Sequence, residues 1–256
     1  MTEAVTGTEA IEVTETLEVI ERERRWRMPL ALVTGTANGL GYELTAGLIE
    51  RGWTVAGVDF NAAKQQELAE KWGEKYLPLV GDISDEEFVN SAVAKAHELG
   101  HIDLLINNAG QPSFKAPTAY VGADMDKTLK GLKGMMLFSV ATLKADEEKN
   151  LKIANVMSTA ATRGNANESV YCAAKWGEKG YTESLKAAYK GTSVLVVGIY
   201  PGGIDTPFYK ESHDYVSVEK QHTFMNAHDL AEVLLFNLVN EANLTVSDIR
   251  IDRNYV

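Results

Sequence analysis

From Leu30 to the C-terminus, short apolar runs alternate with amphipathic segments, and no other feature of the chain restricts its fold as much. "LALVTG" (30–35), "TVAGVDF" (54–60), "YLPLVGD" (76–82), "IDLLINNAG" (102–110), "LKIANVMS" (151–158), "SVLVVGIYPGG" (193–203) and "TVSDIRI" (245–251) read as strands. Several are continuous in apolar character, which is the pattern of strands covered on both faces. Between them the sequence predicts helices over 40–51, closed by Gly52, over 62–74, over 85–100 and near 228–240. The third, "DEEFVNSAVAKAHELG", opens with acidic residues, where the helix dipole favours them. Repeated β-α-β units with right-handed crossovers give an α/β fold: a doubly wound, seven-stranded parallel sheet flanked by helices.

A chain of 256 residues, 45% of them hydrophobic, can bury the core this fold needs. No linker, repeat or low-complexity stretch follows residue 28, so residues 29–256 are read as one domain. Residues 1–28 differ. They place Glu at 9, 12, 15, 18 and 21, then Arg at 22, 24, 25 and 27. The segment lacks the apolar centre of a signal peptide and is too acidic for a mitochondrial transit peptide. It is expected to be an N-terminal extension, either flexible or in contact with a neighbouring subunit.

A net charge of −11 argues against a nucleic-acid backbone or an anionic membrane as partner, and no apolar run is long enough to span a bilayer. Cys172 is the one cysteine, which precludes an internal disulfide and fits a reducing cytoplasm. The five histidines are scattered, and no Cys/His cluster has metal-ligand spacing.

The first strand runs into "TGTANGLG" (34–41). Glycines let a tight turn pass close to a ligand, and the helix that follows points its N–H groups and positive dipole end at the turn. That is an anion site suited to a pyrophosphate. The spacing is G-x-x-x-G-x-G rather than G-x-G-x-x-G. Asp59 ends the second strand, 18 residues beyond Gly41. A carboxylate there accepts hydrogen bonds from both ribose hydroxyls and repels a 2′-phosphate. Thr36, Ala37 and Asn38 offer no basic side chain to offset that repulsion, so NAD is favoured over NADP.

Further on, "YCAAK" sets Tyr171 and Lys175 one helical turn apart, and Ser158 lies 13 residues before Tyr171. With the glycine turn, "GDIS" (81–84), "NNAG" (107–110) and "PGGIDT" (201–206), these motifs stand in an order that resembles the short-chain dehydrogenase/reductase family from about Pro29 to the C-terminus. The resemblance implies a Rossmann domain and an NAD site built from Gly35, Ala37, Asn38, Gly39, Leu40, Asp59, Phe60, Asp82, Ile83, Asn108, Ala109, Gly110, Pro201, Gly202, Ile204 and Thr206, with Tyr171 and Lys175. It also implies that Ser158, Tyr171 and Lys175 are catalytic. Hydride transfer at a carbinol carbon requires a proton to leave or join the oxygen. Bringing a phenol from about 10 to about 7 takes about 4 kcal/mol. A nearby ammonium and the nicotinamide ring favour the phenolate, so Lys175 is expected to keep Tyr171 acidic.

Where the family has an asparagine in N-x-x-G, this chain has "GLKG" (131–134), with Gly131 at that place. In the family that asparagine helps hold a water that links the lysine to solvent. Three alternatives stand. The relay uses the Gly131 carbonyl, Lys130 or Lys133; or it is rebuilt at a lower rate; or ordinary turnover is lost. Substrate contacts are expected from Gln111 to Phe114, from Arg163, Asn165 and Asn167, and from an aromatic insert between Thr206 and His228. The insert carries Phe208, Tyr209, His213, Tyr215, His222, Phe224 and Met225. It points to a compact, partly apolar alcohol or carbonyl. The reading is an NAD-dependent oxidoreductase interconverting a secondary alcohol and a ketone, and the resemblance implies a homodimer or homotetramer. Two alternatives remain: an NAD-binding sensor that has lost turnover, and an isomerase or epimerase on the same fold.

Overall fold

Successive residues of β1 (Leu30–Thr34) point to opposite faces of a sheet, and helices cover both. Ala31 and Val33 pack with Leu44 and Leu48 of α1 (Gly39–Glu50) and with Leu230, Leu234 and Leu235 of α6 (Ala227–Leu238). Leu30 and Leu32 pack on the other side with Val89 and Val93 of α3 (Glu86–Glu98) and Phe138 of α4 (Gly122–Ala145). Coverage of both faces is why this strand shows no polar alternation.

The computed structural model describes residues 28–146, 150–210, 223–240 and 245–253. The remaining strands are β2 (Thr54–Asp59), β3 (Tyr76–Val80), β4 (Ile102–Asn107), β5 (Lys152–Val156), β6 (Leu195–Pro201) and β7 (Asp248–Ile251). All pair in parallel, in the order β3-β2-β1-β4-β5-β6-β7. The remaining helices are α2 (Ala62–Trp72) and α5 (Ser169–Ala188), with a short helical turn at Pro207–Lys210. The seven-stranded doubly wound sheet expected from the sequence is the one observed. Residues 1–27 lie outside the described residues, as do His213, Tyr215 and His222 of the expected aromatic insert.

Several strands end earlier than their apolar runs. The third was expected to reach Asp82, but pairing with β2 stops at Asp59 and Val80. The fourth was expected to reach Gly110, yet β4 ends at Asn107. Beyond it the Asn108 amide donates to the Thr34 carbonyl at 3.0 Å, and the Thr34 hydroxyl oxygen accepts the N–H groups of Asn108 and Ala109 at 3.0 Å each. The residues past these strand ends are released from the ladder and become walls of the site.

Candidate active site

β2 and β4 flank β1 on opposite sides, so the order of strands reverses there. Open α/β sheets bind ligands at the carboxyl edge of such a reversal. In this protein a cavity of about 620 Å³ occupies that edge. The turn after β1 contributes Gly35, Asn38, Gly39 and Leu40; the ends of β2 and β3 contribute Asp59, Phe60, Asp82 and Ile83. Asn108, Ala109 and Gly110 line it after β4, and Pro201, Gly202, Ile204 and Thr206 at the end of β6 and beyond. Ser158, Tyr171 and Lys175 complete the wall. Ala37 is the one residue of the expected set outside the lining: it is buried, and its N–H donates to Asp59 Oδ2 at 3.0 Å.

The turn is built for close approach. Gly35 has φ +79°, and a Cβ there would lie 2.9 Å from the Asn108 amide nitrogen. A Cβ on Gly41 would collide with the carbonyl oxygen of Gly35. Helices α2, α3 and α6 begin with side-chain caps from Asn61, Asp85 and Asn226. At α1 the N-cap residue Asn38 is extended and makes no such bond, and the first helical residues line the cavity. Uncapped first-turn N–H groups at a glycine turn suit a phosphate, so the donor set fits a dinucleotide.

Asp59 accepts the N–H of Asn61 on Oδ1 and that of Ala37 on Oδ2, both at 3.0 Å. Asp82 pairs with Lys130 of α4 and accepts the N–H and hydroxyl of Ser84. Partial burial works to raise its pKa, but Lys130 and the Ser84 bonds outweigh that and hold it at about 2.

At the other end, β5 delivers Ser158 and the first turns of α5 deliver Tyr171 and Lys175. The Ser158 hydroxyl accepts the N–H of Ala160 at 3.1 Å and stands near enough to the Tyr171 phenol to favour its ionised form. It therefore caps a turn and acts on the phenol at once. Lys175 Nζ lies 5.7 Å from the centre of the Tyr171 ring. The edges of Phe114 and Phe208 pack around that ring, with centroids at 5.4 Å and 6.1 Å.

One expectation needs correction here. Lys175 was expected to hold Tyr171 acidic. Instead its ammonium is bonded to Glu178 Oε2 at 2.8 Å, with Glu178 only 2% exposed. Burial first, and Glu178 second, push the Tyr171 pKa well above the usual phenol value; Ser158 offsets only part of that. The protein's own groups therefore hold the phenol protonated at neutral pH. Of the three alternatives for the proton relay, one used the Gly131 carbonyl, Lys130 or Lys133. Lys130 is engaged by Asp82, and Lys133 is exposed. The group beside Gly131 is Glu178, whose Oε1 is 3.5 Å from where a Cβ at Gly131 would stand.

Gln111, Pro112 and Phe208 line the cavity as expected for the substrate side, but Ser113, Phe114, Arg163, Asn165 and Asn167 do not; Phe114 packs on the Tyr171 ring from outside that lining. Arg163 is exposed, and Asn165 bonds Glu168 at 2.8 Å. Phe224 stacks on Arg253 at 4.8 Å, and Met225 bridges to Ile204, next to the cavity but not in its wall. The sequence reasoning missed Lys127 and Glu178. Lys127 was signalled only by sharing a helix face with Lys130 and Gly131; Glu178 follows Lys175 by three positions, and that spacing on α5 was the available clue. Among the described residues there is no group able to hold a metal ion, and no helix is long and apolar enough to cross a membrane.

A doubly wound sheet with an anion-suited glycine turn at one end of its cleft and a serine–tyrosine–lysine set at the other defines a dinucleotide-dependent oxidoreductase. The sequence profile described as short chain dehydrogenase matches residues 29–216, and the chain belongs to the short-chain dehydrogenase/reductase family. It is 29% identical to the levodione reductase of Leifsonia aquatica over 84% of this chain and 88% of that protein. A 3-ketoacyl-(acyl-carrier-protein) reductase from Brucella melitensis, solved with NADH, superposes with a TM-score of 0.78 at 26% identity, over 88% of this chain and 96% of that one. The closed form of a serine dehydrogenase with NADP+ shares the fold with a TM-score of 0.80 at 24% identity, over 87% and 94% of the two chains.

Proposed function

We propose that the protein is an NAD-dependent oxidoreductase that interconverts a secondary alcohol and a ketone, with Tyr171 as general acid/base. The observation that carries this is the convergence of Ser158, Tyr171 and Lys175 on one wall of the cavity whose other end presents Asp59. When bound, the nicotinamide supplies or accepts the hydride. In the reducing direction one ketone, one NADH and one proton give one alcohol and one NAD. Ser158 holds the substrate oxygen, Tyr171 gives that oxygen its proton, and Lys175 is placed to bond the cofactor ribose.

Asp59 supports NAD over NADP. Its carboxylate is fixed by two backbone N–H groups, and Lys64, the nearest cation along the chain, is turned to Glu67 at 2.6 Å. A 2′-phosphate would face the carboxylate with no cationic partner among the cavity's neighbouring lining residues Asn38, Phe60 and Asn61. Pro112 and Phe208 in the cavity wall favour a compact, partly apolar substrate. The name of the levodione reductase supports the ketone reading. A cytoplasmic setting and self-association belong to the same reading.

The test is a panel of compact ketones and secondary alcohols with NADH or NAD, run on wild type and Tyr171→Phe. Wild type should change the nicotinamide absorbance, and Tyr171→Phe should lose that turnover while its NADH affinity stays within about twofold. NADH binding with no consumption across the panel would favour a sensor. Substrate conversion with no net absorbance change would favour an isomerase.

A further inference from the structure

Glu178 has no role in the reading above, yet it is 2% exposed and shares the Lys175 ammonium with the active site. A buried ion pair is weak ground for stability, because desolvation offsets most of the attraction and an apolar residue fills the space as well. Its carboxylate reaches the face of α4 at Gly131, where Oε1 is 3.5 Å from the place a Cβ would take, in ordinary contact with it. The surroundings are otherwise sparse in charge. On α5 the groups near the phenol are Lys175, Glu178, Cys172 and, at the helix start, Glu168. Ser158 approaches from β5, and Phe114 and Phe208 bring only apolar edges. From α4, Lys127 and Lys130 line the cavity, and Lys130 is paired with Asp82 beyond β3.

We propose that Glu178 is a positioning residue that holds the Lys175 ammonium and offsets its charge, so that Tyr171 serves as proton donor to a carbonyl and the site is set for ketone reduction. The proposal rests on the assignment of Tyr171 as general acid/base and adds a direction to it. An unopposed ammonium within a few ångströms favours the phenolate; a carboxylate bonded to that ammonium cancels much of the effect. A phenol kept as O–H begins each reductive turnover in the required protonation state. Alcohol oxidation needs the phenolate and should therefore be favoured only at alkaline pH.

The test reads Tyr171 directly. The ultraviolet absorbance of its phenolate is obtained as the difference between each protein and its Tyr171→Phe counterpart, with and without NAD, in the wild-type and Glu178→Gln backgrounds. This needs no turnover. The glutamine keeps a carbonyl oxygen for Lys175 and removes the charge, so the midpoint should fall by about one pH unit or more. The pH profile of kcat/KM for alcohol oxidation should move the same way. Glu178→Met serves as the second background where the glutamine variant does not fold. Coincident midpoints in wild type and variant overturn the proposal. Active Tyr171→Phe overturns the acid/base assignment instead, so the two failures are distinct.

Discussion

The carboxylate of Asp59 accepts the backbone N–H of Ala37 across the glycine turn, Oδ2 to N at 3.0 Å. The acid at the end of β2 and the anion-binding turn after β1 are thus held as one unit. Replacing Asp59 by Ala removes the charge that rejects a 2′-phosphate and frees the Ala37 N–H. Charge-assisted hydrogen bonds contribute about 1.5–3 kcal/mol each, so NAD affinity should fall about 10- to 100-fold. NADP affinity should fall less or rise. Calorimetric titration with both nucleotides reads the ratio, and an unchanged ratio removes Asp59 as the selector.

Behind the same turn, three buried side chains close a ring of hydrogen bonds. Gln65 Nε2 donates to Thr36 Oγ1 at 2.7 Å, Thr36 and Tyr76 share a bond of 2.8 Å, and the Tyr76 hydroxyl donates to Gln65 Oε1 at 2.8 Å. Burial, the largest cause, pushes the Tyr76 pKa up to about 12. A pKa raised above its unfolded value of about 10 contributes stability below pH 10, and that contribution is lost as pH rises through about 12. The expected loss over this window is about 2–3 kcal/mol. Tyr76→Phe should cost about 1–3 kcal/mol at neutral pH by leaving buried partners short of a bond, and its stability should then fall less steeply between pH 10 and 12. Urea unfolding at stepped pH measures both; parallel curves for the two proteins would refute the linkage.

What the sequence disclosed and what it withheld divide along the range of the interactions. The glycine turn, Asp59 and the Tyr171–Lys175 pair are each set by neighbours within one β-α unit or one helical turn, so spacing revealed them. The strands were legible because apolar side chains mark them, but their ends were not. β4 stops at Asn107 because Asn108 finds partners on Thr34, a contact the local pattern does not record. Glu178 was passed over for the same reason. It lies against Gly131 of a different helix, and only the packing of α4 against α5 brings the two together. The loop holding Arg163, Asn165 and Asn167 was read as polar and therefore ligand-facing; its backbone carries these residues away from the cleft.

Among the described residues, large apolar side chains stay exposed on two helices that matter for association. Met125, Leu129 and Val140 share one face of α4 by their spacing, each 39–43% exposed. Val233 and Phe236 of α6 are 49% and 75% exposed. Exposed apolar stripes of this kind mark association sites, and we propose that a second copy of this chain covers the one on α4. A dimer needs one patch and a tetramer needs both. Leu129→Arg should therefore yield monomers, or dimers from a tetramer, while Phe236→Arg should change the mass only of a tetramer. Sedimentation velocity distinguishes these outcomes, and a monomeric wild type would refute self-association.

The edges of Phe114 and Phe208 meet the Tyr171 ring from two directions, at 81° and 62° to its plane. Of the two, Phe208 also lines the cavity, so its ring limits how much substrate can stand beside the hydroxyl. Removing one ring takes away a large apolar wall but leaves Ser158, Tyr171 and Lys175 in place. Phe208→Ala should raise KM for a compact ketone about tenfold, since losing a well-packed aromatic contact is worth about 1–2 kcal/mol in binding. It should lower kcat less, because the proton donor is intact. Bulkier ketones should gain in kcat/KM relative to compact ones, as the vacated volume admits them. Steady-state kinetics on a graded series of ketones reads the selectivity. Parallel losses for small and large ketones would mean that Phe208 supports the fold of the site rather than selecting its substrate.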